Sequence, residues 1–262
     1  MTPALFQAAA GGFVADPIAR GPWDEGMMHG GAPTALIARE IERVAPGSAE
    51  MVVARLTVDF LGAVPIGHVA VATEVVKPGR RFQLVEATLI AGGWAVCLAR
   101  AVRLRRAQLP AAAATPQNGS GALPPPGEGT KLPPFVTRDD GIFYPDACEI
   151  RHVGGEFGSG ALAAWIRLRG ELVCGEPPSA LVRVAAAADF ANGLSWIVPL
   201  ADWLFVNTDL TIHLHREPEG EWIGLDARSS ISALGVGQAS AVMHDLHGPI
   251  GICVQSLFVE PR

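Results

Sequence analysis

The sequence has no C-x-x-C pair. Its four cysteines, Cys97, Cys148, Cys174 and Cys253, stand far apart. That spacing carries neither a zinc nor a redox signature, so no metal and no cofactor is expected. Isolated thiols of this kind are expected to lie buried in a reducing compartment. Basic residues are not in excess either. The formal net charge is −6, which argues against a nucleic-acid partner, because such surfaces are basic. The opening residues, MTPALFQAAAGG, lack a basic start and a long apolar core, so no signal peptide is expected. No apolar run is long enough to cross a bilayer. The most apolar later segment, LIAGGWAVCLARAV, contains two glycines and an arginine. These absences together lead to the expectation of a cytoplasmic protein without a membrane span.

What the 262 residues do contain is core: 49% are hydrophobic and only 18% charged, which excludes a disordered chain. The composition shifts between residues 108 and 145, where QLPAAAATPQNGSGALPPPGEGTKLPPF is rich in Pro, Ala and Gly. The expected division is therefore an N-terminal unit, 1–107, a linker, 108–145, and a C-terminal unit, 146–262. In the first unit GGAPTALIAREIERV is an amphipathic helix. Ala35, Leu36, Ile37 and Ile41 form its apolar side, and Arg39, Glu40, Glu42 and Arg43 its polar side. Strand-like segments follow: VVARLTVDFLG, HVAVATEVV, RFQLVEATLI and AVCLARAVRL. In the second unit ALAAWIRLRGEL comes first, then an alanine-rich helix, then FVNTDLTIHLH, EWIGLDARSSI, GQASAVMHDL and GICVQSLFVEP. A shift of 154 residues lays Leu56–Val58 on Leu210–Ile212, Gly31 on Ala185 and Ala35 on Asp189. Helix and strands share one offset, which points to a repeat. The implied class is α+β: two tandem units, each an antiparallel sheet wrapped around a central helix, joined sheet edge to sheet edge.

Several polar residues stand where apolar ones are expected. In RVAAAADFANGLSW, Asp189 interrupts a helix of strong helix formers. It either caps a second helical segment or serves as a general base, since desolvation makes a carboxylate a readier proton acceptor. Gln255 lies in ICVQSLFV, and a buried glutamine requires hydrogen-bond partners. His29-Gly30-Gly31 opens the first helix. Paired glycines allow close approach, and free amides at a helix N-terminus suit a developing oxyanion, so Gly30 or Gly31 is a candidate donor. Arg80 and Arg81 in KPGRRF, with Arg100, Arg103, Arg105 and Arg106, are candidates for phosphate contacts or simply solvated strand residues. Trp23, Trp165, Trp196 and Trp203 line a ligand pocket or pack the core.

The chain resembles the thioesterase-like double hotdog family, close to the medium- and long-chain acyl-CoA thioesterases of type II. The resemblance rests on GMMHGGAPTALIARE and LTVDFLGAVPIGHVAVATEVVKPGRRFQLVEATL in the first half. In the second it rests on AAADFANGLSW, NTDLTIHLHR and CVQSLFV. It implies hydrolysis of an acyl-CoA thioester by water. The family's catalytic Asp falls on Asp189, its Gln on Gln255, and its Thr or Ser on Asn207, where this sequence offers an amide instead of a hydroxyl. Strand alternation turns the neighbouring Thr208 away if Asn207 faces the site. By analogy with single-hotdog relatives, His29, Gly30 and Gly31 of the first half would face Asp189. A homodimer is the expected assembly. Two alternatives remain open. Asp24 and His29 have the five-residue spacing of hotdog enoyl-CoA hydratases, although the Asn-Pro pair between them is missing. A non-catalytic acyl-CoA-binding module would account for the missing hydroxyl.

Overall fold

The structure, a computed structural model, describes residues 4–44, 51–108, 110, 121–134, 136–137 and 139–262. The first half contains strands β1 (Ala4–Ala9) and β2 (Gly12–Ala15), helix α1 (Gly31–Arg43), and strands β3 (Met51–Phe60), β4 (His68–Lys77), β5 (Phe82–Ala91) and β6 (Trp94–Arg105). The second half contains β7 (Thr130–Lys131), β8 (Cys148–Glu156), β9 (Ala161–Leu168), β10 (Glu171–Val173), helices α2 (Ala180–Ala188) and α3 (Phe190–Leu194), and strands β11 (Trp203–Asn207), β12 (Asp209–Leu214), β13 (Trp222–Ile231), β14 (Val236–Asp245) and β15 (Gly248–Pro261). All strands belong to one sheet, ordered β10-β1-β2-β4-β5-β6-β3-β12-β15-β14-β13-β9-β8-β7, with β11 also paired to β15. This is the double hotdog arrangement.

The elements follow from simple patterns. On β5, Gln83, Val85, Ala87, Leu89 and Ala91 are buried and the intervening residues are not, so the alternation in the sequence becomes the two faces of the sheet. Helix α1 buries Ala35, Leu36, Ile37 and Ile41 completely, while Arg39 and Glu40 stay partly exposed. Alanine dominates α2 because α1 crosses it closely. A Cβ added at Gly31 would stand 2.6 Å from the backbone oxygen of Ala186, so neither helix has room for larger side chains there.

The two halves meet at β3 and β12, which pair antiparallel with Thr57 opposite Thr211, Val58 opposite Leu210 and Leu56 opposite Ile212. Thr57 and Thr211 are separated by the repeat offset, and the Thr211 hydroxyl donates to the Thr57 hydroxyl at 3.3 Å. An antiparallel pair centred on equivalent residues is what a local two-fold between the halves requires.

Four features differ from the sequence reading. Cys97, Cys148 and Cys253 are buried, but Cys174 is exposed in the turn after β10. The stretch 108–145 lies partly outside the described residues, and its end is not plain loop. Thr130–Lys131 pairs with β8, and Leu132, Ile142, Phe143 and Tyr144 are buried. Strands β1, β2 and β8 carry no clear alternation and were not foreseen. The first of these pairs in parallel with β10, so the second half supplies an edge strand to the first half's side of the sheet.

Candidate active site

Asp189 lies between α2 and α3, and its backbone ends one helix and begins the next. Its side chain makes no capping hydrogen bond to α3. The capping alternative is therefore closed, and the carboxylate has different partners. Its side chain is 5% exposed. Oδ1 accepts hydrogen bonds from Asn207 Nδ2 at 2.9 Å and from Gln255 Nε2 at 3.2 Å. Asn207 ends β11 and Gln255 sits mid-way along β15, so two strands of the second half grip one oxygen.

Gln255 is completely buried, and its Oε1 accepts the backbone N–H of Asn192 at 3.0 Å. Both ends of its amide are engaged by protein. The partners a buried glutamine requires are therefore protein groups, the Asp189 carboxylate among them. Asn192 Nδ2 in turn donates to the Phe205 carbonyl at 3.1 Å, which ties α3 to β11.

The other carboxylate oxygen faces the first half. Asp189 Oδ2 is 3.1 Å from His29 Nδ1. The His29 ring is stacked between Phe143, at 4.6 Å, and Phe190, at 4.5 Å. Burial lowers its pKa from the usual value of 6.5, and the neighbouring Asp189 charge opposes that shift. The Gly31 N–H donates to the same Nδ1 at 3.0 Å. Nδ1 thus has two competing neighbours: the Gly31 N–H needs it as an acceptor, and the Asp189 carboxylate needs it as a donor. Gly30 packs directly on the acid, since an added Cβ would stand 2.8 and 2.9 Å from the two carboxylate oxygens. The two glycines thus separate: the Gly31 amide is engaged by His29, and Gly30 is the residue that packs on Asp189.

These groups line a cavity of about 350 Å³ together with Trp23, Phe60, Val64 and Val206. Thr208 lines it too. Alternation was expected to turn Thr208 away, but it sits at the bend between β11 and β12, where strand alternation is interrupted. Asp24 also lines the cavity, yet its Oδ1 accepts the Gly26 N–H at 2.7 Å. Among the described residues it does not pair with His29, so the hydratase-type Asp24/His29 pair is not formed.

The basic candidates are not brought to this cavity. Phe60 at one end of β3 lines it, whereas Met51 at the other end lies opposite Arg105, whose N–H donates to the Arg81 carbonyl. Ten strand residues separate the two ends by about 30 Å, and Arg80 and Arg81 lie at the far one. Arg100 pairs with Glu86 and Arg106 with Glu217. Buried Arg103 faces Glu42 and donates to the Val44 carbonyl. Of the four candidate tryptophans among the chain's six, Trp23 borders the cavity, edge-on to Phe205, and Trp165, Trp196 and Trp203 pack elsewhere.

No thiol serves as a nucleophile here. Burial, reinforced by the Asp189 charge, pushes Cys97 up to about 12, and burial also pushes Cys253 to about 12. Among the described residues no group of three His, Cys, Asp or Glu side chains is placed to hold a metal ion.

Comparison with known proteins follows this geometry. Residues 19–105 match the family model for the acyl-CoA thioesterase N-terminal domain, and residues 110–259 match that for the acyl-CoA thioesterase C-terminal domain. No curated protein matches the sequence. Among solved structures, a candidate thioesterase from Novosphingobium aromaticivorans is similar at 23% identity and TM-score 0.73, covering 98% of this chain and 99% of the other. Acyl-CoA thioesterase II TesB2 from Mycobacterium marinum is similar at 16% identity and TM-score 0.68, covering 98% and 95%. The dehydratase domain of the polyketide PpsC from Mycobacterium tuberculosis is more distant, at 14% identity and TM-score 0.50 over 90% and 84%. At these identities the structural matches establish the fold, and the two family models establish the family.

Proposed function

The chain belongs to the acyl-CoA thioesterase family and is a thioester hydrolase, and from that premise we propose that it cleaves its acyl-CoA substrate by direct attack of a water activated by Asp189. One observation carries this reading. A carboxylate in an otherwise apolar helix pair has Oδ1 fixed by two amide donors, while Oδ2 is held beside the cavity under a glycine that leaves room for a reacting group. Fixing one oxygen from behind orients the other without neutralising it.

Water held by Asp189 Oδ2 attacks the thioester carbon. A C–O bond forms, the carbonyl electron pair moves to oxygen, and the water's proton passes to Asp189. Asn207, with Nδ2 engaged by Asp189, has its Oδ1 left to accept a hydrogen bond from the same water. An amide at this position orients a water as a hydroxyl would, since it has both donor and acceptor ends. The Gly30 N–H is the donor for the oxyanion, and a donor of this type is worth about 3–4 kcal/mol of barrier. Collapse breaks the C–S bond. CoA leaves with the electron pair and takes up the proton from Asp189.

The test is a panel of acyl-CoA substrates followed by release of free thiol, run beside a hydration assay on an enoyl-CoA. Thiol release without hydration is the expected result. Hydration without thiol release would overturn the reading in favour of a hydratase, and tight binding with neither reaction would leave a binding module.

A further inference from the structure

A second cavity opens beside the first. It measures about 70 Å³ and is walled by Leu132, Ile142, Tyr144, Ile150, Phe190 and Leu194, with Arg20 as its one permanently charged lining residue. The two cavities share three wall residues, Pro22, His29 and Gly193. Asp189 and Asn207 line only the larger one. Gly193 lies on α3, between Asn192, which faces the larger cavity, and Leu194, which faces the smaller. A Cβ built on Gly193 would meet no atom within 4 Å, and its φ is not positive. Glycine is therefore required there neither by backbone conformation nor by a close protein neighbour. It leaves an open space at the boundary between the two cavities.

We propose that Gly193 is the doorway through which the acyl chain passes from the catalytic cavity into this apolar side cavity, and that the side cavity sets the substrate as a short-chain acyl-CoA. The proposal rests on the thioesterase reading and deepens it. The polarity of the walls decides which part goes where. A hydrocarbon chain is stabilised among leucine, isoleucine and phenylalanine. The pantetheine arm, with its two amides, suits the larger cavity, where Asp24, Asn192, Asn207 and Thr208 stand among apolar residues such as Trp23, Met27, Phe60 and Val64. The reacting carbon then lies at the junction, beside His29 and Gly30, between the two. Size decides the chain length. The side cavity, at about 70 Å³, has about one-fifth of the larger cavity's volume of about 350 Å³. It takes a short chain, whereas one of twelve carbons runs on past its apolar walls.

The experiment compares wild type with Gly193→Ala and Gly193→Val. Thiol release is measured on acetyl-, hexanoyl- and dodecanoyl-CoA, and calorimetry measures binding of a non-hydrolysable hexanoyl thioether of CoA. Wild type is expected to favour hexanoyl-CoA over dodecanoyl-CoA. The valine variant is expected to lower the hexanoyl-to-acetyl ratio of kcat/KM, and the affinity for the thioether, by at least about tenfold, with alanine in between. The unfolding temperature of either variant should not fall, because the added atoms meet open space. An unchanged ratio and affinity in the valine variant, or a wild type that prefers dodecanoyl-CoA, would overturn the proposal. If no acyl-CoA releases thiol, the thioesterase reading itself fails, and the thioether titration still decides whether the doorway exists.

Discussion

Gln255 is fully enclosed, with Oε1 on the Asn192 amide and Nε2 on the Asp189 carboxylate. Replacing it by alanine strands a backbone N–H and loosens the acid at once. Gln255→Ala is expected to lose about 1–3 kcal/mol of stability, read by urea denaturation, together with a fall in kcat at unchanged KM. A variant as stable and as active as wild type would contradict the holding role. That a glutamine among apolar strand residues needs partners was legible from the sequence. The identity of those partners was not, because they come from a helix 63 residues earlier. Thr208 escaped for a different reason: the rule of alternating faces applies within a strand, and this residue stands at a bend between two. A second residue-scale prediction concerns His244. It is wholly buried on β14, and neither ring nitrogen has a hydrogen-bond partner among the described residues. Burial lowers its pKa below 6.5, against the opposing pull of Asp226 and Asp245. The unfolded chain therefore takes up a proton near that value while the folded protein resists it. The stability gained by keeping this ring neutral is complete above the unfolded pKa and declines as pH falls below it. Between about pH 7.5 and about pH 5.5, the drop in the urea midpoint should be smaller for His244→Leu than for wild type. An equal drop in both proteins would remove His244 as a cause.

At the scale of elements, the crossing of α1 over α2 positions the site, because it sets Gly30 on Asp189. The crossing depends on Gly31, whose Cβ would press on the Ala186 carbonyl, a backbone atom that cannot swing aside. Gly31→Ala is expected to cost about 1–3 kcal/mol through overpacking. The check is the urea midpoint, and an unchanged or raised midpoint would mean that the helices separate freely. Both helices and the strands β3 to β6 and β12 to β15 were legible because their periodicities are strong: 3.6 for α1, and 2 for β5. The missed strands lack that signal. ALFQAA in β1 has no polar alternation, the end of β8 carries Gly154-Gly155, and β7 has two residues. Their pairing comes from the edges the rest of the sheet presents, which no local pattern encodes.

Across the whole molecule, the repeat offset found in the sequence becomes the seam between β3 and β12, with Thr57 and Thr211 facing each other. One continuous core runs through both halves, from Leu36 and Ile37 of α1 to Val184 and Ala188 of α2. A shared core and a shared sheet couple the units, so calorimetry should show a single unfolding transition, and two separated transitions would show that the halves unfold independently. The candidate site also belongs to this scale. His29 and Gly30 come from one half, and Asp189, Asn207 and Gln255 from the other, so neither half contains it alone. The most direct test of the account is the rate of thiol release by Asp189→Asn at saturating acyl-CoA. Asparagine keeps the shape but cannot accept the water's proton, so kcat should fall by about 10²–10⁴ in a protein that unfolds at or above the wild-type temperature. A folded Asp189→Asn enzyme that retains wild-type kcat would contradict it.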